Sequence, residues 1–171
     1  METSLPAYSD QIDKIISQWG DERPDVDVSP VAIFGRIARI NRLLEDYLAD
    51  FLCRNNLTLG LFDVLTALRR SGEPYQSKPS ELADMTMLTS GGMTGRLDQL
   101  EELGLVKRIS DKNDRRVMFA QLTPEGLDLI DELVEEHFRR EAELLNGIEK
   151  KDQMKMSGLL REIETTMIGT K

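Results

Sequence analysis

The stretch Leu103–Gly126, LGLVKRISDKNDRRVMFAQLTPEG, decides how the rest of the chain reads. Before Gly104 apolar residues recur at helical spacing. After it they alternate, in LVKRIS and again in RVMFAQL, which is the period of strands with one buried face. Between the runs lies DKND, whose Asp and Asn side chains bond their own backbone and so favour a turn. The pattern predicts a β-hairpin with two adjacent arginines, Arg115 and Arg116, beside its tip. Thr123 and Pro124 then suit the cap and first position of a long helix.

Towards the N-terminus, KPSELADMTM and LTSGGMTGRLDQLEELG read as two short helices joined by about four residues, a helix-turn-helix pattern. Pro79 opens the first; Thr89 or Ser90 caps the second and Gly104 closes it. Ahead of them LTLGLFDVLTALRR predicts a helix capped by Thr58, with Leu61, Val64, Leu65 and Leu68 inward. Val31 to Leu52 forms one long amphipathic helix, with Arg36, Arg39 and Arg42 largely off its apolar stripe as a solvated basic face. YSDQIDKIISQWG places Ile12, Ile15, Ile16 and Trp19 on one helical face, with Gly20 as an end signal. Beyond Gly147, a break, a last helix carries Met154, Leu159, Leu160, Ile163 and Met167.

The 171 residues suit one compact domain with helical extensions. No long apolar run and no signal-peptide pattern occur in the sequence, so a cytoplasmic protein without membrane contact is expected. One cysteine, Cys53, and one histidine, His137, exclude an internal disulfide and a Cys/His zinc site, and neither metal nor cofactor is expected. No Gly-rich phosphate loop or catalytic triad is recognisable, so an enzyme is not expected. The formal charge of −9 opposes phosphate binding, but its distribution matters more. From Lys78 to Arg116 the bases Lys78, Arg96, Lys107, Arg108, Lys112, Arg115 and Arg116 balance Glu81, Asp84, Asp98, Glu101, Glu102, Asp111 and Asp114. The centre is neutral and the periphery carries the deficit.

A helix-turn-helix followed by a two-stranded ribbon is a winged helix. The expected fold is mainly α with a small β-hairpin wing, a winged helix-turn-helix with long N- and C-terminal dimerisation helices. Residues 1–56 form the N-terminal helices, 57–122 the DNA-binding domain and 123–171 the C-terminal helices. The second helix of the motif suits a major groove, and a guanidinium on the ribbon suits the focused negative potential of a narrow minor groove. Thr89, Ser90, Gly91, Gly92, Met93 and Thr94 are small or neutral, so backbone amides and hydroxyls there can approach phosphates. Arg96 has two competing uses, a base or phosphate contact, or an internal partnership with Asp98, Glu101 or another helix. On the wing, Arg115 and Arg116 are the DNA-facing candidates, with Asp114 placed to hold Arg116 by a charge-assisted hydrogen bond.

The segment from KPSELADMTM to LTPEG resembles the winged-helix core of the MarR family of bacterial transcriptional regulators. The resemblance rests on the sELA helix, the Ser/Thr-Gly recognition helix, LEELGLVKR, the wing Asp114-x-Arg116 and LTPEG; with LTLGLFDVL it covers residues 57–126. It implies a homodimer that binds double-stranded DNA at a palindromic operator, usually as a repressor released by a ligand. A urate-responsive branch of the family carries an extra N-terminal helix with a tryptophan, an aspartate before the helix-turn-helix, and two arginines. Trp19, Asp63, Arg96 and Arg108 stand at the matching places, which implies a small anionic aromatic effector, urate among them. Physically, a flat anion wants an aromatic face and a fixed guanidinium. In this reading the bound anion repels Asp63 and Arg96 follows it.

Other readings remain open at this level. Trp19 also suits a core or dimer interface and Asp63 a solvated helix face; another phenolic effector would use the same cleft. Cys53 reads as a buried inert thiol and His137 as a surface helix residue, yet an oxidant-sensing repressor acting through Cys53 is one alternative. A helical interaction scaffold that binds no DNA is another.

Overall fold

A computed structural model describes residues 9–86, 92–111, 114 and 116–169. Its elements run α1 (Gln11–Glu22), α2 (Val31–Cys53), α3 (Leu59–Arg70), β1 (Gln76–Ser77), α4 (Pro79–Met85), α5 (Met93–Glu102), β2 (Val106–Ser110), β3 (Met118–Leu122), α6 (Pro124–Leu144) and α7 (Lys150–Gly169). Two compact units divide the chain, Met1–Leu59 and Gly60–Lys171.

In the first unit, Asp10 opens α1 by accepting hydrogen bonds from the Ile12 and Asp13 amides at 2.8 and 2.9 Å, while the Asp13 carboxylate accepts one from the Asp10 amide. This reciprocal cap satisfies donors that a helix start leaves orphaned. Contrary to the sequence expectation, α1 runs through Gly20 and ends at Glu22. A helical glycine costs only about 1 kcal/mol, which the surrounding helix tolerates. Ile12 seats against α2 at Gly35, where a Cβ would come within 3.2 Å of its Cδ1. Arg36 is also no freely solvated charge. Its Nη2 reaches Asp13 at 2.7 Å and Asp10 at 3.1 Å, so it ties α2 to the start of α1, and Arg39 joins by bonding Gln11.

In the second unit α3 is the central helix, burying Leu61, Phe62, Val64, Leu65, Ala67 and Leu68. Around it lie Leu82 of α4, Leu97 and Leu100 of α5, Val106, Ala120 and Leu122 of the sheet, and Ile130 and Leu133 of α6, all buried. The sheet has three antiparallel strands in the order β1-β3-β2, with Arg108 opposite Ala120 and Ser77 also paired to Ala120. The third strand was not expected, and at two residues it is too short to carry a period.

The corner between β3 and α6 is closely packed. Thr123 caps α6 by accepting the Gly126 amide at 3.0 Å and donates its hydroxyl to the Gly104 carbonyl at 2.7 Å. A Cβ on Gly126 would sit 2.0 Å from the Leu105 carbonyl oxygen, so the glycine is a steric requirement. Gly147, at φ +89, separates α6 from α7. Helix α7 buries none of its residues; Met154, Leu159, Leu160 and Met167 are all exposed.

Candidate nucleic-acid interface

Helices α4 and α5 form the helix-turn-helix, and the structure starts the second later than expected. Its N-cap is Gly92, at φ +105, rather than Thr89 or Ser90. A left-handed cap of that kind suits glycine, which has no Cβ to clash. Thr89, Ser90 and Gly91 lie outside the described residues. Gly92 and Thr94 are exposed, whereas Met93 is only 5% exposed and turned into the core, which leaves it only its amide to offer DNA.

Arg96 has neither of the internal partners expected for it. Asp98 and Glu101, one turn apart on α5, are taken by Arg108 of β2: Nη2 reaches Asp98 at 2.5 Å and Nη1 reaches Glu101 at 2.8 Å. These two carboxylates, Asp98 first, raise the Arg108 pKa further and pin the first wing strand to the recognition helix. Asp63 is half-buried on α3, and among the described residues its carboxylate makes no ion pair with Arg96. The Arg96 guanidinium instead lies against glycines. A Cβ at Gly60 would come 2.9 Å from its Nε, and one at Gly92 3.6 Å from Nη1. Among the described residues Nη1 is buried and has no hydrogen-bond partner. A cationic donor left unsatisfied away from water is costly, and such a group is a natural receptor for an anion.

On the wing, β2 and β3 pair from Val106 opposite Leu122 to Ser110 opposite Met118. Asp111 accepts the Asp114 amide and Asp114 accepts the Arg116 amide, each at 2.9 Å. Asp114 therefore shapes the turn through the backbone of Arg116; the expected bond to its guanidinium is absent. The Arg116 side chain is exposed and makes no ion pair among the described residues, so its charge faces outward. Arg115 lies outside the described residues.

Trp19 is 53% exposed on α1. Cys53 corrects the expected buried thiol, because it is exposed at the end of α2. Its basic neighbour Arg54 is turned to Asp50 at 3.3 Å. His137, expected at the surface, instead packs its ring 5.0 Å from that of Phe62 and lies 3.3 Å from Glu141. Among the described residues no cluster of His, Cys, Asp and Glu could hold a metal ion, and no helix is long and apolar enough to cross a membrane.

Comparison with known proteins gives the arrangement its context. The MarR family model matches residues 57–118. Over 161 residues, 94% of this chain and 97% of the relative, the sequence is 34% identical to the HTH-type transcriptional regulator PecS of Dickeya dadantii. The chain belongs to the MarR family. Among solved structures it resembles AbsC, a MarR family transcriptional regulator from Streptomyces coelicolor, with TM-score 0.72 and 25% identity over 84% of this chain and 97% of that one. It also resembles NadR in complex with 4-hydroxyphenylacetate, with TM-score 0.60 and 26% identity over 77% and 91% of the two chains. This MarR-family protein is a DNA-binding transcriptional regulator, not an enzyme, and that sets aside the scaffold reading.

Sequence reasoning named Arg96, Arg108, Gly92, Asp98 and Glu101 but missed Gly60 and which arginine each of these residues serves. Gly60 and Gly92 seat the first; Asp98 and Glu101 hold the second. The three-residue spacing of Asp98 and Glu101, one helical face, was the available signal.

Proposed function

We propose that the protein is a cytoplasmic, homodimeric repressor that binds a palindromic operator and is released by a small anionic aromatic effector, with urate the leading choice. The observation that carries the effector reading is the Arg96 guanidinium, whose buried Nη1 has no partner among the described residues while its seat lies beside the cap of the recognition helix. A bound anion would satisfy it. NadR, similar in fold and 26% identical, is seen in complex with 4-hydroxyphenylacetate, a small anionic aromatic, which supports that ligand class.

Four residues carry the response in this reading. Trp19 supplies an aromatic face, Arg96 and Arg108 supply positive charge, and Asp63, which has no ion-pair partner among the described residues, repels the anion. Arg108 also supplies a coupling route. An anion that competes for it weakens its hold on Asp98 and Glu101 and so frees the recognition helix from β2. Met93, Thr94, Gly92 and the neighbouring Thr89, Ser90 and Gly91 approach DNA through amides and hydroxyls, while Arg115 and Arg116 enter the minor groove. Exposed apolar side chains support the dimer. Ile33, Phe34 and Ile40 on α2 and Met154, Leu159 and Met167 on α7 form faces suited to a second copy, with residues 1–56 and 123–171 as the dimerising parts around the 57–122 DNA-binding domain.

A gel-shift titration against the DNA next to the protein's own gene, repeated with urate and with salicylate, tests the reading. Saturable binding reversed by urate supports it. Reversal by salicylate alone removes urate, and a complex that peroxide dissociates in the wild type but not in Cys53→Ser replaces the effector with a thiol switch.

A further inference from the structure

Among the described residues, the anchorage of α1 lies in its N-terminal half. Asp10, Ile12, Asp13, Ile15 and Ile16 are buried or half-buried, whereas every residue from Ser17 to Glu22 is exposed. Beside the bond from Arg39 to Gln11, the charged part of that anchorage converges on one side chain. Arg36 bonds Asp13 through Nη2 at 2.7 Å and Asp10 through Nε at 3.2 Å, and its Nη1 donates to the Ala32 carbonyl of its own helix at 3.0 Å. The last bond stiffens the guanidinium before it crosses to α1. Its two acceptors are the same carboxylates that cap α1, so the clamp grips the helix at its capped first turn.

A helix held at one turn has its rotation about its own axis set along its whole length, since backbone hydrogen bonds transmit the twist. Ile12 against Gly35 fixes how closely α1 approaches α2, but an apolar contact of that kind is non-directional. The bidentate charge contact supplies the direction. Trp19 lies six residues beyond Asp13, on the half of α1 that the first unit leaves exposed.

We propose that Arg36 is a positioning residue for the effector response: by holding Asp10 and Asp13 it sets the direction in which α1 presents Trp19. The proposal rests on the preceding reading of Trp19 as the aromatic face for the effector. Arg36 touches no effector and acts only through α1.

Trp19 is the only tryptophan, so its fluorescence reports α1 directly in the full chain without any ligand. The experiment compares wild type, Arg36→Ala, Arg36→Lys, the charge-exchanged pair Arg36→Asp with Asp13→Arg, and Trp19→Phe. Tryptophan anisotropy decay and acrylamide quenching are read first for the variants that keep Trp19; operator gel shifts with increasing urate follow for all. Arg36→Ala is expected to add fast local motion at Trp19, to keep operator affinity within about twofold, and to raise the urate concentration for half-release by roughly five- to twentyfold as the competent orientation becomes less populated. Arg36→Lys, a single point charge that cannot span both carboxylates, falls between, and the exchanged pair recovers at least part of both readouts. Unchanged Trp19 motion in Arg36→Ala, failure of the exchanged pair to recover, or loss of operator binding without urate each overturns the proposal. A normal urate response in Trp19→Phe overturns the reading of Trp19 itself. Loss in Trp19→Phe with a normal response in Arg36→Ala overturns only the role of Arg36.

Discussion

Replacing Gly126 by alanine tests whether the corner that joins the wing to α6 is as tight as the geometry says. The added Cβ would lie 2.0 Å from the Leu105 carbonyl oxygen, 2.9 Å from its carbonyl carbon and 3.1 Å from its Cα. All three are backbone atoms at the entry to β2, so relief requires the first turn of α6 to part from the sheet by more than 1 Å, on the order of the missing van der Waals distance. Overpacking of this kind costs about 1–3 kcal/mol, and a clash with backbone belongs at the upper end. Against that stands the gain from removing a helical glycine, at most about 1 kcal/mol. The expected net loss is about 2 kcal/mol, or a fall in Tm of about 4–8 °C at fixed protein concentration for a chain of this size. Gly158→Ala is the control, because nothing lies within 4 Å of its added Cβ and α7 should gain up to about 1 kcal/mol. Thermal and urea unfolding of both variants beside wild type decides the matter. If Gly126→Ala matches or exceeds the wild-type stability, the close approach of α6 to Leu105 is wrong.

Arg116→Ala should cost about 1–3 kcal/mol of operator affinity in a salt-controlled titration, because its exposed guanidinium makes no ion pair among the described residues; unchanged affinity removes the wing arginine from the interface. Gly60→Ala should leave stability within about 1 kcal/mol of wild type, since the atom it meets, Arg96 Nε at 2.9 Å, belongs to a flexible side chain and not to backbone. The displaced guanidinium should nevertheless change the urate concentration for half-release, and an unaltered response would show that the seat has no part in sensing. The Asp13 carboxyl is held below the ordinary aspartate range, first by the Asp10 amide and then by Arg36. A depressed folded-state value contributes stability above the unfolded value, about pH 4, and that contribution is lost as pH falls through the folded one. Trp19 mobility followed from about pH 6 down to about pH 3 should therefore rise in wild type and change less over that window in Asp13→Asn.

The elements that the sequence alone determined are those whose signals are local. Pro79 and the Thr123-Pro124 pair mark helix starts because they act on the adjacent turn, and the alternation on either side of DKND marks the hairpin because strand period is a nearest-neighbour property. Gly20 shows the limit of such signals, since its modest cost is outweighed by the helix around it. Tertiary structure decided the rest, for the physical reason that the deciding partners are remote. Strand β1 exists because β3 offers it an edge, with Gln76 paired to Gln121. Arg36 meets carboxylates 23 and 26 residues away, and Arg108, ten residues from Asp98, takes the partners that were equally open to Arg96. His137 turns inward because Phe62 is there to receive its ring. Residue types announce which charges a site contains, but only the packed chain apportions a few carboxylates among several arginines, giving Asp98 and Glu101 to Arg108 and not to Arg96.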